Sequence, residues 1–437
     1  MSYLQDDMVV KIKNDMIMDM SVEVFKSFDT VSATPDQWDD FVASVDGEIY
    51  STYDWCSIWW KHYGSNRKLN IFIFRHDGQI VGIVPLFMEK IRFGPVWLRV
   101  LKLIASDYST NTVSIPIRPE YVDSVVVNLQ NLISDMPYDV INFGKLSALY
   151  DCKNSLYQAC LAYFGSSHTV IQNDGPPQTY FKLSDSLDSY LAELSHSKRN
   201  TIRRHRRRAA AAVGDRDLPV VAVPSDRQNV EQFFDEFMVA HQKRWNKAGK
   251  AGHFGDWPGS EQFHRDLIDA NIKTDRLCLS KITASDTAVG YIYGYVFSNR
   301  YLDFLSSRSD SDVFAKVSIG RILYSEMIRL GSEKGLEYID SMPGFYDFKI
   351  AIGGQMFTTS NIAIRTRTIS SRVRQFVFGL FATILDAAYY RIWYSRIAPK
   401  MFLRRKSLWH SWIRTRIFSW LANRTEKMSD NKTGDDK

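Results

Sequence analysis

The chain has 437 residues, of which 45% are hydrophobic and 24% charged, a balance that is ordinary for a globular protein and excludes a largely disordered chain. Its four cysteines form no CxxC pair and no Cys/His cluster at ligand spacing, which argues against a disulfide framework and a structural zinc site. The net charge of +6 is concentrated in two segments, so the positions of the charges say more than the total.

The N-terminal region lacks the basic stretch followed by an apolar stretch that a secretory signal requires, so we expect a cytoplasmic protein. No window approaches about 18 uninterrupted apolar residues, the length that a membrane span requires. The longest candidate, residues 376–390, is shorter and contains Asp386. We therefore expect a chain that does not cross a membrane.

Apolar spacing and turn signals predict a mixed α/β first half. Thr34-Pro35 is typical of a helix N-cap followed by proline in the first turn, and His76-Asp77-Gly78 is typical of a hairpin turn. The expected elements, in chain order, are a helix that begins at Pro35, a helix at 54–62, strands at 69–75 and 80–89, a helix at 125–134, a strand at 140–143 and a helix at 155–164.

Gly175-Pro176-Pro177 predicts a stiff break between two halves, with a boundary near residue 178. The second half is expected to contain a long helix ending at 212, a strand at 220–223, helices at 225–247 and 260–272, strands at 277–283, 288–298 and 301–306, a helix at 317–334, and strands at 338–340 and 356–365. The chain then divides into an N-terminal extension (1–33), two halves (34–177 and 178–368), a basic aromatic segment (369–424) and a disordered polar tail (425–437).

This order of elements resembles the GNAT superfamily of acyltransferases, and is more closely similar to the CelD/BcsL-type acetyltransferases of exopolysaccharide and cellulose gene clusters. The resemblance covers roughly residues 35–365 and depends on the order and spacing of several short motifs. They are Val81-Gly82-Ile83-Val84-Pro85-Leu86, Ser106-Asp107-Tyr108, Ser197-Lys198-Arg199-Asn200, Lys243-Arg244-Trp245, Ser318-Ile319-Gly320, and Gly335-Leu336-Glu337-Tyr338-Ile339-Asp340 leading to Lys349. It implies tandem GNAT-like domains with mixed, mainly antiparallel sheets flanked by helices, plus a C-terminal helical tail, and an active half between Ser184 and Arg365.

Acyl transfer from a thioester needs a neutral nucleophile, donors for a developing oxyanion and groups that hold the pyrophosphate of the acyl donor. Gly290 and Gly294 interrupt a strand that is otherwise β-branched or aromatic, and glycine there commonly marks a bulge or a close backbone approach. The resemblance implies that this strand, with Tyr293 and Tyr295, holds acetyl-CoA or another acyl-CoA as cosubstrate. The alternative is that the tyrosines only cover one face of a sheet.

Ser318-Ile319-Gly320-Arg321 resembles the pyrophosphate loop of the superfamily, because the free amides at a helix start and the basic neighbours suit a phosphate group. The usual loop has two glycines, and Ser318 stands in place of one. Without the resemblance, Ser318 is an ordinary helix cap.

The segment from Gly344 to Lys349 matches the superfamily's glycine-to-Tyr-Lys segment, but Phe348 stands where tyrosine is usual. Tyr346 is then the nearest candidate for the general acid. Asp340 is a candidate base or a residue that positions the amine, and a structural hydrogen-bonding role is the alternative. The predicted catalytic group is therefore Asp340, Tyr346 and Lys349, with no metal ion.

The first basic segment has seven Lys or Arg residues within 198–208, on a predicted helix. Like charges at this density repel one another unless an anion lies near, although a solvated helix face is the simpler interpretation. The family that the chain resembles also has basic residues in this helix, so the resemblance favours an anionic ligand, such as a nucleotide-linked sugar or a cofactor phosphate, over DNA. The interleaved aromatic residues of single-strand binders are absent. The predicted substrate-binding residues are Lys198, Arg199, Arg203, Arg244 and Trp245.

The second basic segment, residues 372–424, alternates aromatic residues with arginines and contains one acid, Asp386. This composition is typical of a helix in the headgroup region of an anionic membrane, which would place the protein peripherally on the inner face of the cytoplasmic membrane. Packing on the catalytic half or an oligomer contact are the alternatives.

The leading hypothesis is an acyl-CoA-dependent acyltransferase that acts on an amine or hydroxyl of a sugar or sugar nucleotide in surface polysaccharide biosynthesis. A second hypothesis is a Fem-type transferase that uses aminoacyl-tRNA, which the first basic segment would bind. A third is a catalytically degenerate GNAT scaffold at the membrane surface, which Ser318 and Phe348 favour.

Overall fold

The computed structural model describes residues 8–14, 17–93, 96–108, 112–212, 214, 220–223, 226–284, 287–308, 317–344 and 346–406. Lys316, Phe345, the aromatic residues at 409–420 and the predicted tail at 425–437 therefore lie outside the described residues.

Thirteen strands form one sheet in the described part of the chain. They are β1 (Met8–Asn14), β2 (Ile17–Phe25), β3 (Lys68–His76), β4 (Gln79–Phe93), β5 (Val96–Leu103), β6 (Val140–Leu146), β7 (His168–Lys182), β8 (Val220–Ala222), β9 (Leu277–Ala284), β10 (Thr287–Phe297), β11 (Arg300–Arg308), β12 (Tyr338–Pro343) and β13 (Gln355–Thr366). Their order across the sheet is β1-β2-β3-β4-β5-β6-β13-β7-β12-β11-β10-β9-β8.

Twelve helices cover this sheet in the described residues. They are α1 (Pro35–Ser44), α2 (Tyr53–Tyr63), α3 (Val122–Ile133), α4 (Lys153–Phe164), α5 (Leu187–Glu193), α6 (His196–Ala212), α7 (Arg227–Lys247), α8 (His253–Asp256), α9 (Ser260–Ile272), α10 (Ile319–Glu333), α11 (Asp347–Ile350) and α12 (Ile369–Leu385), which continues as a π-helix over Asp386–Ile397.

Local sequence signals determine several of these elements as expected. Thr34 caps α1 through a reciprocal pair of hydrogen bonds with Gln37, and Pro35 occupies the first turn. Asp77 and Gly78 both have positive φ, as a two-residue hairpin turn requires. Gly294 lies at a register shift between β10 and β11, where a Cβ atom would be 2.5 Å from the Leu302 carbonyl oxygen.

The structure differs from the predicted elements at several places, of which four affect the architecture of the sheet and its helices. The expected long helix is broken into α5 and α6, because Leu194 is extended. The strands β1 and β2 lie in the predicted N-terminal extension, and β2 pairs with β3 while burying alternate apolar residues. The strand β5 was not predicted. The expected break at Gly175-Pro176-Pro177, with the predicted boundary near residue 178, falls inside the strand β7.

The glycine and prolines of β7 are tolerated because β13 is irregular beside them. The pairing of β13 with β7 shifts register between Thr358 and Ser360. Thr359 Oγ1 donates a hydrogen bond to the Pro176 carbonyl, 2.8 Å away, and a Cβ atom on Gly175 would lie 2.2 Å from this hydroxyl. Tertiary pairing therefore overrides the local turn signal.

The two halves follow the same plan and exchange their last strands. The pairs β5–β6 and β11–β12 are parallel, whereas the other neighbours are antiparallel. The strand β7, which ends the first half, lies between β13 and β12, and β13, which ends the second half, lies between β6 and β7. A shared core joins the halves through Trp55, whose ring centroid is 5.2 Å from those of Tyr295 and Phe304.

The C-terminal helix lies against the first half. Phe378 of α12 is buried among Ile91, Leu98, Val100 and Val140. The helix from Ile369 to Ile397 has 29 residues, and its most apolar window of 18 residues has a mean hydropathy of 1.2, with 11% of that window buried. By length and composition this helix is able to cross a membrane. This was not expected from the sequence, because the apolar stretch at 376–390 is shorter than a membrane span.

Candidate active site

A pocket opens where β11 and β12 separate. These strands pair from Arg300 to Leu302, after which β12 shifts register against β7 between Asp340 and Pro343. The separation leaves a volume of about 470 Å³. The pocket is lined by Asp303–Arg308 of β11, Ser341–Pro343 of β12, the start of α10, the region of α11, and side chains from α7 and the α8 region.

Three buried polar atoms of this lining have no hydrogen-bond partner among the described residues. They are Asp303 Oδ1, Ser307 Oγ and His241 Nδ1. Buried polar atoms in folded proteins nearly always have a partner, because an unpaired one loses its hydration without compensation. Their concentration around one pocket indicates a site built for a polar ligand.

A hydrogen-bonded cluster forms one wall of the pocket. Tyr324 OH donates to Asp303 Oδ2 at 2.5 Å and lies 2.6 Å from Ser341 Oγ. Lys349 Nζ donates to the Ser341 carbonyl at 2.6 Å. Asp303 thus keeps one carboxylate oxygen bound and one unpartnered.

Burial determines the electrostatics of this wall. It raises the pKa of Asp303, against the opposing effects of the Lys349 charge and the hydrogen bond from Tyr324. Burial also lowers the pKa of Lys349 to about 8, although the charges of Asp303 and Asp340 oppose this shift. The pKa of each group is therefore shifted toward neutral pH relative to the same side chain when exposed, as general acid–base catalysis requires.

The three predicted catalytic residues lie in different surroundings. Lys349 and Tyr346 both line the pocket, and Lys349 Nζ lies 4.8 Å from the Tyr346 ring centroid. Asp340 instead borders a small internal cavity with Glu48 and Arg300. Both oxygens of Asp340 accept from Gln178 Nε2 at 2.9 Å, and burial, followed by the charge of Glu48, raises its pKa to about 7.

The predicted pyrophosphate loop lies at one end of the pocket. Ser318 and Gly320 line it, whereas Ile319 is buried in the core beneath α10. The Ser318 side chain makes no capping hydrogen bond, and its backbone N–H donates to His205 Nδ1 at 3.2 Å. Arg321 Nη1 lies 2.7 Å from the other ring nitrogen of His205.

Tyr293 and Tyr295 are not part of the pocket lining. Both are fully buried on β10, where their hydroxyls lie 2.7 Å apart and Tyr293 OH lies 3.1 Å from His264 Nδ1. The strand β11 separates β10 from β12. The resemblance implied that β10 holds the acyl-CoA. In the structure, the pocket instead opens one strand away, along β11.

The predicted substrate-binding residues divide into two groups. Arg244 and Trp245 line the pocket, whereas Lys198, Arg199 and Arg203 of α6 are not among its lining residues. The neighbouring Arg206 forms an ion pair with the buried Glu326 of α10, so α6 packs against the helix whose start lies at the pocket.

An aromatic and imidazole wall surrounds the predicted Trp245. Its other members, His241, His253 and Trp257, were missed by the sequence prediction. Trp245 Nε1 donates to His241 Nε2 at 3.0 Å, so the neutral His241 ring carries its proton on Nδ1, the unpartnered atom. Burial and the charge of Arg244 lower the pKa of His241 to about 3, which keeps the ring neutral. The spacing of His241 and Trp245 on one helix face was the available signal.

Comparisons with known proteins agree with this location. Residues 196–350 match the family model described as an acetyltransferase (GNAT) domain, and this range includes the whole pocket lining given above. This part of the chain is therefore similar to a GNAT acetyltransferase domain. No protein of curated function matches the sequence.

Several solved structures are similar in fold. FemX shares 12% identity over 79% of this chain and 99% of its own, with a TM-score of 0.54. A conserved protein of unknown function from Bacteroides thetaiotaomicron shares 10% identity over 77% of this chain and 99% of its own, with a TM-score of 0.44. A tandem GNAT protein from the clavulanic acid biosynthesis pathway shares 10% identity over 79% of this chain and 98% of its own, with a TM-score of 0.40.

The predicted fold class is confirmed. The chain has a mixed α/β, GNAT-like fold with a large, mostly antiparallel sheet and a long C-terminal helix. At 12% identity, the likeness to FemX shows the fold alone.

Proposed function

We propose that this protein is an acyl-CoA-dependent acyltransferase that modifies an amine or hydroxyl of a sugar or sugar nucleotide in surface polysaccharide biosynthesis. The observation that carries the proposal is the pocket between the separated ends of β11 and β12, with its three unpartnered polar atoms, inside the matched GNAT domain. A GNAT domain generally implies acyl-CoA as cosubstrate. The CelD/BcsL-type motifs of the sequence support the polysaccharide context.

Asp303 is the proton acceptor in this proposal. Its free Oδ1 receives the proton of the acceptor amine or hydroxyl while that group forms its bond to the thioester carbonyl carbon. Tyr324 holds the second carboxylate oxygen and so orients the first. This role needs no metal ion.

Lys349 and Tyr346 are the candidates that return a proton to the sulfur as the C–S bond breaks. A lysine with a pKa of about 8 is a stronger acid than an exposed one, and burial keeps its ammonium group directed at Ser341 and the pocket. Tyr346 offers the phenol that Phe348 lacks.

The acceptor class is supported by the aromatic and imidazole wall. Trp245 and Trp257 offer flat apolar surfaces on which the C–H face of a sugar ring packs, and His241 Nδ1 offers a hydrogen bond to a ring hydroxyl. Arg244 and Arg308 add positive charge that suits the phosphates of a sugar nucleotide.

Binding of acetyl-CoA tests the cosubstrate, and Gly320→Glu is the informative variant. A Cβ atom at Gly320 meets only Phe348, 3.8 Å away, and a carboxylate in the first turn stabilises a helix. The same charge repels a pyrophosphate, so calorimetry should show affinity for acetyl-CoA lowered by about tenfold or more with unchanged thermal stability.

Val239→Glu is the matched control, because Val239 is 66% exposed on α7. It should bind acetyl-CoA as the unmodified protein does. Absence of any acyl-CoA binding by the unmodified protein at millimolar concentration would overturn the proposal and favour the scaffold hypothesis.

The aminoacyl-tRNA hypothesis retains one supporting feature, the exposed cationic face of α6. Arg203, Arg204, Arg207 and Arg208 are exposed there, whereas Arg206 is engaged by Glu326. If tRNA is the donor, replacing these four arginines by glutamine should abolish salt-sensitive tRNA binding in a gel-shift assay. Acetyl-CoA turnover that persists in this variant would favour the acyl-CoA hypothesis.

A further inference from the structure

The helix α12 is attached to the protein along one face. Phe378 and Gly379 are buried, and Gln375 Nε2 donates to the carbonyl oxygens of Asp139 and Thr366 at 3.1 Å. Arg374 pairs with the buried Asp139 at 2.5 Å. These contacts hold the first turns of α12 along the surface of the molecule.

The opposite face of α12 is an exposed apolar stripe. It consists of Ile369, Val373, Phe376, Leu380 and Ile384, each between 49% and 84% exposed. The spacing of three or four residues places all five side chains on one side of the helix. At about 1.5 Å per residue, the stripe runs for roughly 22 Å. A contiguous exposed apolar surface of this kind marks an interaction site.

Positive charge is concentrated in the part of the sequence that contains the stripe. Residues 369–424 contain 11 Lys or Arg and one acid, whereas the rest of the chain contains 44 basic and 48 acidic residues. The segment therefore carries +10 and the remainder −4. Trp409, Trp412 and Trp420 follow within the same segment of the sequence, and tryptophan is enriched at membrane–water interfaces.

We propose that the α12 stripe docks in the plane of an anionic lipid bilayer, with exposed cations of the same segment, such as Arg372, Arg396 and Lys400, on the phosphate groups. An apolar stripe of this length in a cationic segment is suited to the boundary between headgroups and acyl chains. The inference is independent of the acyltransferase proposal.

The attached face argues against a membrane-spanning orientation of the same helix. A span would require α12 to leave β5, which would break the Arg374–Asp139 pair and carry Arg374 and the Gln375 amide toward hydrocarbon. Polar groups in hydrocarbon without partners are strongly disfavoured. In-plane docking uses only the face that is already exposed.

Charge also argues against a second copy as the occupant. A two-fold dimer through this stripe would bring the same patch of both chains together, although each chain carries a net charge of +10 in the sequence segment 369–424. Like charges at such a contact repel one another, whereas a lipid surface of negative charge attracts them.

Vesicle flotation of the full-length chain tests the proposal. We expect binding that is about tenfold or more tighter to phosphatidylcholine vesicles with about 30% phosphatidylglycerol than to phosphatidylcholine alone. Raising the salt to about 0.5 M should weaken it. The double variant F376D/L380D should lose binding to the anionic vesicles.

Val239→Asp is the control for an added carboxylate, since it places one aspartate on an exposed apolar position of another helix. An unchanged thermal unfolding midpoint and an unchanged circular dichroism spectrum would show that F376D/L380D is folded. The proposal is overturned by equal binding to both vesicle types, by no binding to either, or by unchanged binding of F376D/L380D. A dimer in light scattering that this variant dissociates, without flotation, would identify a second copy as the occupant.

Discussion

Asp303 shows how one buried carboxylate combines a structural and a chemical role. One oxygen is held by Tyr324 and the other is free in the pocket. We expect Asp303→Asn to preserve the fold, because the amide oxygen still accepts from Tyr324, and to lower kcat by about 10²–10⁴-fold. Steady-state kinetics with acetyl-CoA and a saturating acceptor would measure this.

The control for Asp303 is Asp275→Asn, an exposed position whose positive φ asparagine tolerates. It should leave kcat unchanged. Activity of D303N within a factor of two of the unmodified enzyme would remove Asp303 from the proton-transfer role.

Asp340 makes a different prediction, which concerns stability. Its pKa is raised from 3.8 to about 7, so the native state holds a proton that the unfolded chain releases between these values. The contribution of this protonated carboxyl group to the free energy of unfolding is roughly 2–4 kcal/mol. It is fully present below about pH 4 and is lost as the pH rises through about 7. Asp340→Asn, which is neutral at every pH, should flatten this part of the stability profile and raise the melting temperature at pH 8.

The same variant decides whether Asp340 is a catalytic base. Its carboxylate borders the cavity with Glu48 and not the pocket, so we expect D340N to keep kcat within about tenfold. A loss as large as that of a base, together with an unchanged pH profile of stability, would contradict the structural role.

At the scale of elements, β7 shows how a strand accepts glycine and proline. A methyl group on Gly175 would meet Thr359 Oγ1 at 2.2 Å. Gly175→Ala should therefore destabilise the protein by about 1–3 kcal/mol, as measured by urea unfolding. The double variant G175A/T359A removes the clash and should recover part of this loss. Additive losses would show that the effect comes from another cause.

Elements with strong local signals could be predicted from the sequence. The capped start of α1, the hairpin turn between β3 and β4, and the helices α7 and α9 agree with the prediction within about two residues, whereas β4 continues four residues beyond its predicted end at residue 89. The strand β7 could not be predicted in this way, because its Gly-Pro-Pro segment is extended only through pairing with β13. Long-range pairing is not encoded in a local pattern.

Only part of the candidate site could be predicted, because local motifs are visible in the sequence and long-range contacts are not. Lys349, Ser318 and Gly320 could be identified because each belongs to a short motif of the resemblance. Asp303 and His241 carry no motif, and they meet only because β11 and α7 fold against each other. Their role depends on burial and on the absence of a partner, which spacing along the chain does not reveal.

At the scale of the whole molecule, the exchange of β7 and β13 makes each half depend on the other. We expect the fragments 1–184 and 185–437, each expressed alone, to lack cooperative unfolding, because the edges of β6, β12 and β7 would be unpaired. Co-expression should give a 1:1 complex whose spectrum matches that of the intact chain. Cooperative thermal unfolding of either fragment alone would show that its half is an independent unit.

The exchanged strand also sets a delay during synthesis. The strand β6 ends at Leu146, but its partner β13 is complete only at Thr366. At a translation rate of about 5–20 residues per second, the roughly 200 intervening residues take on the order of 10–40 s. Throughout that time the nascent first half has an open strand edge, which is a surface for chaperones or for aggregation. Most of the chain must therefore be synthesised before the edge of β6, an early strand, is paired.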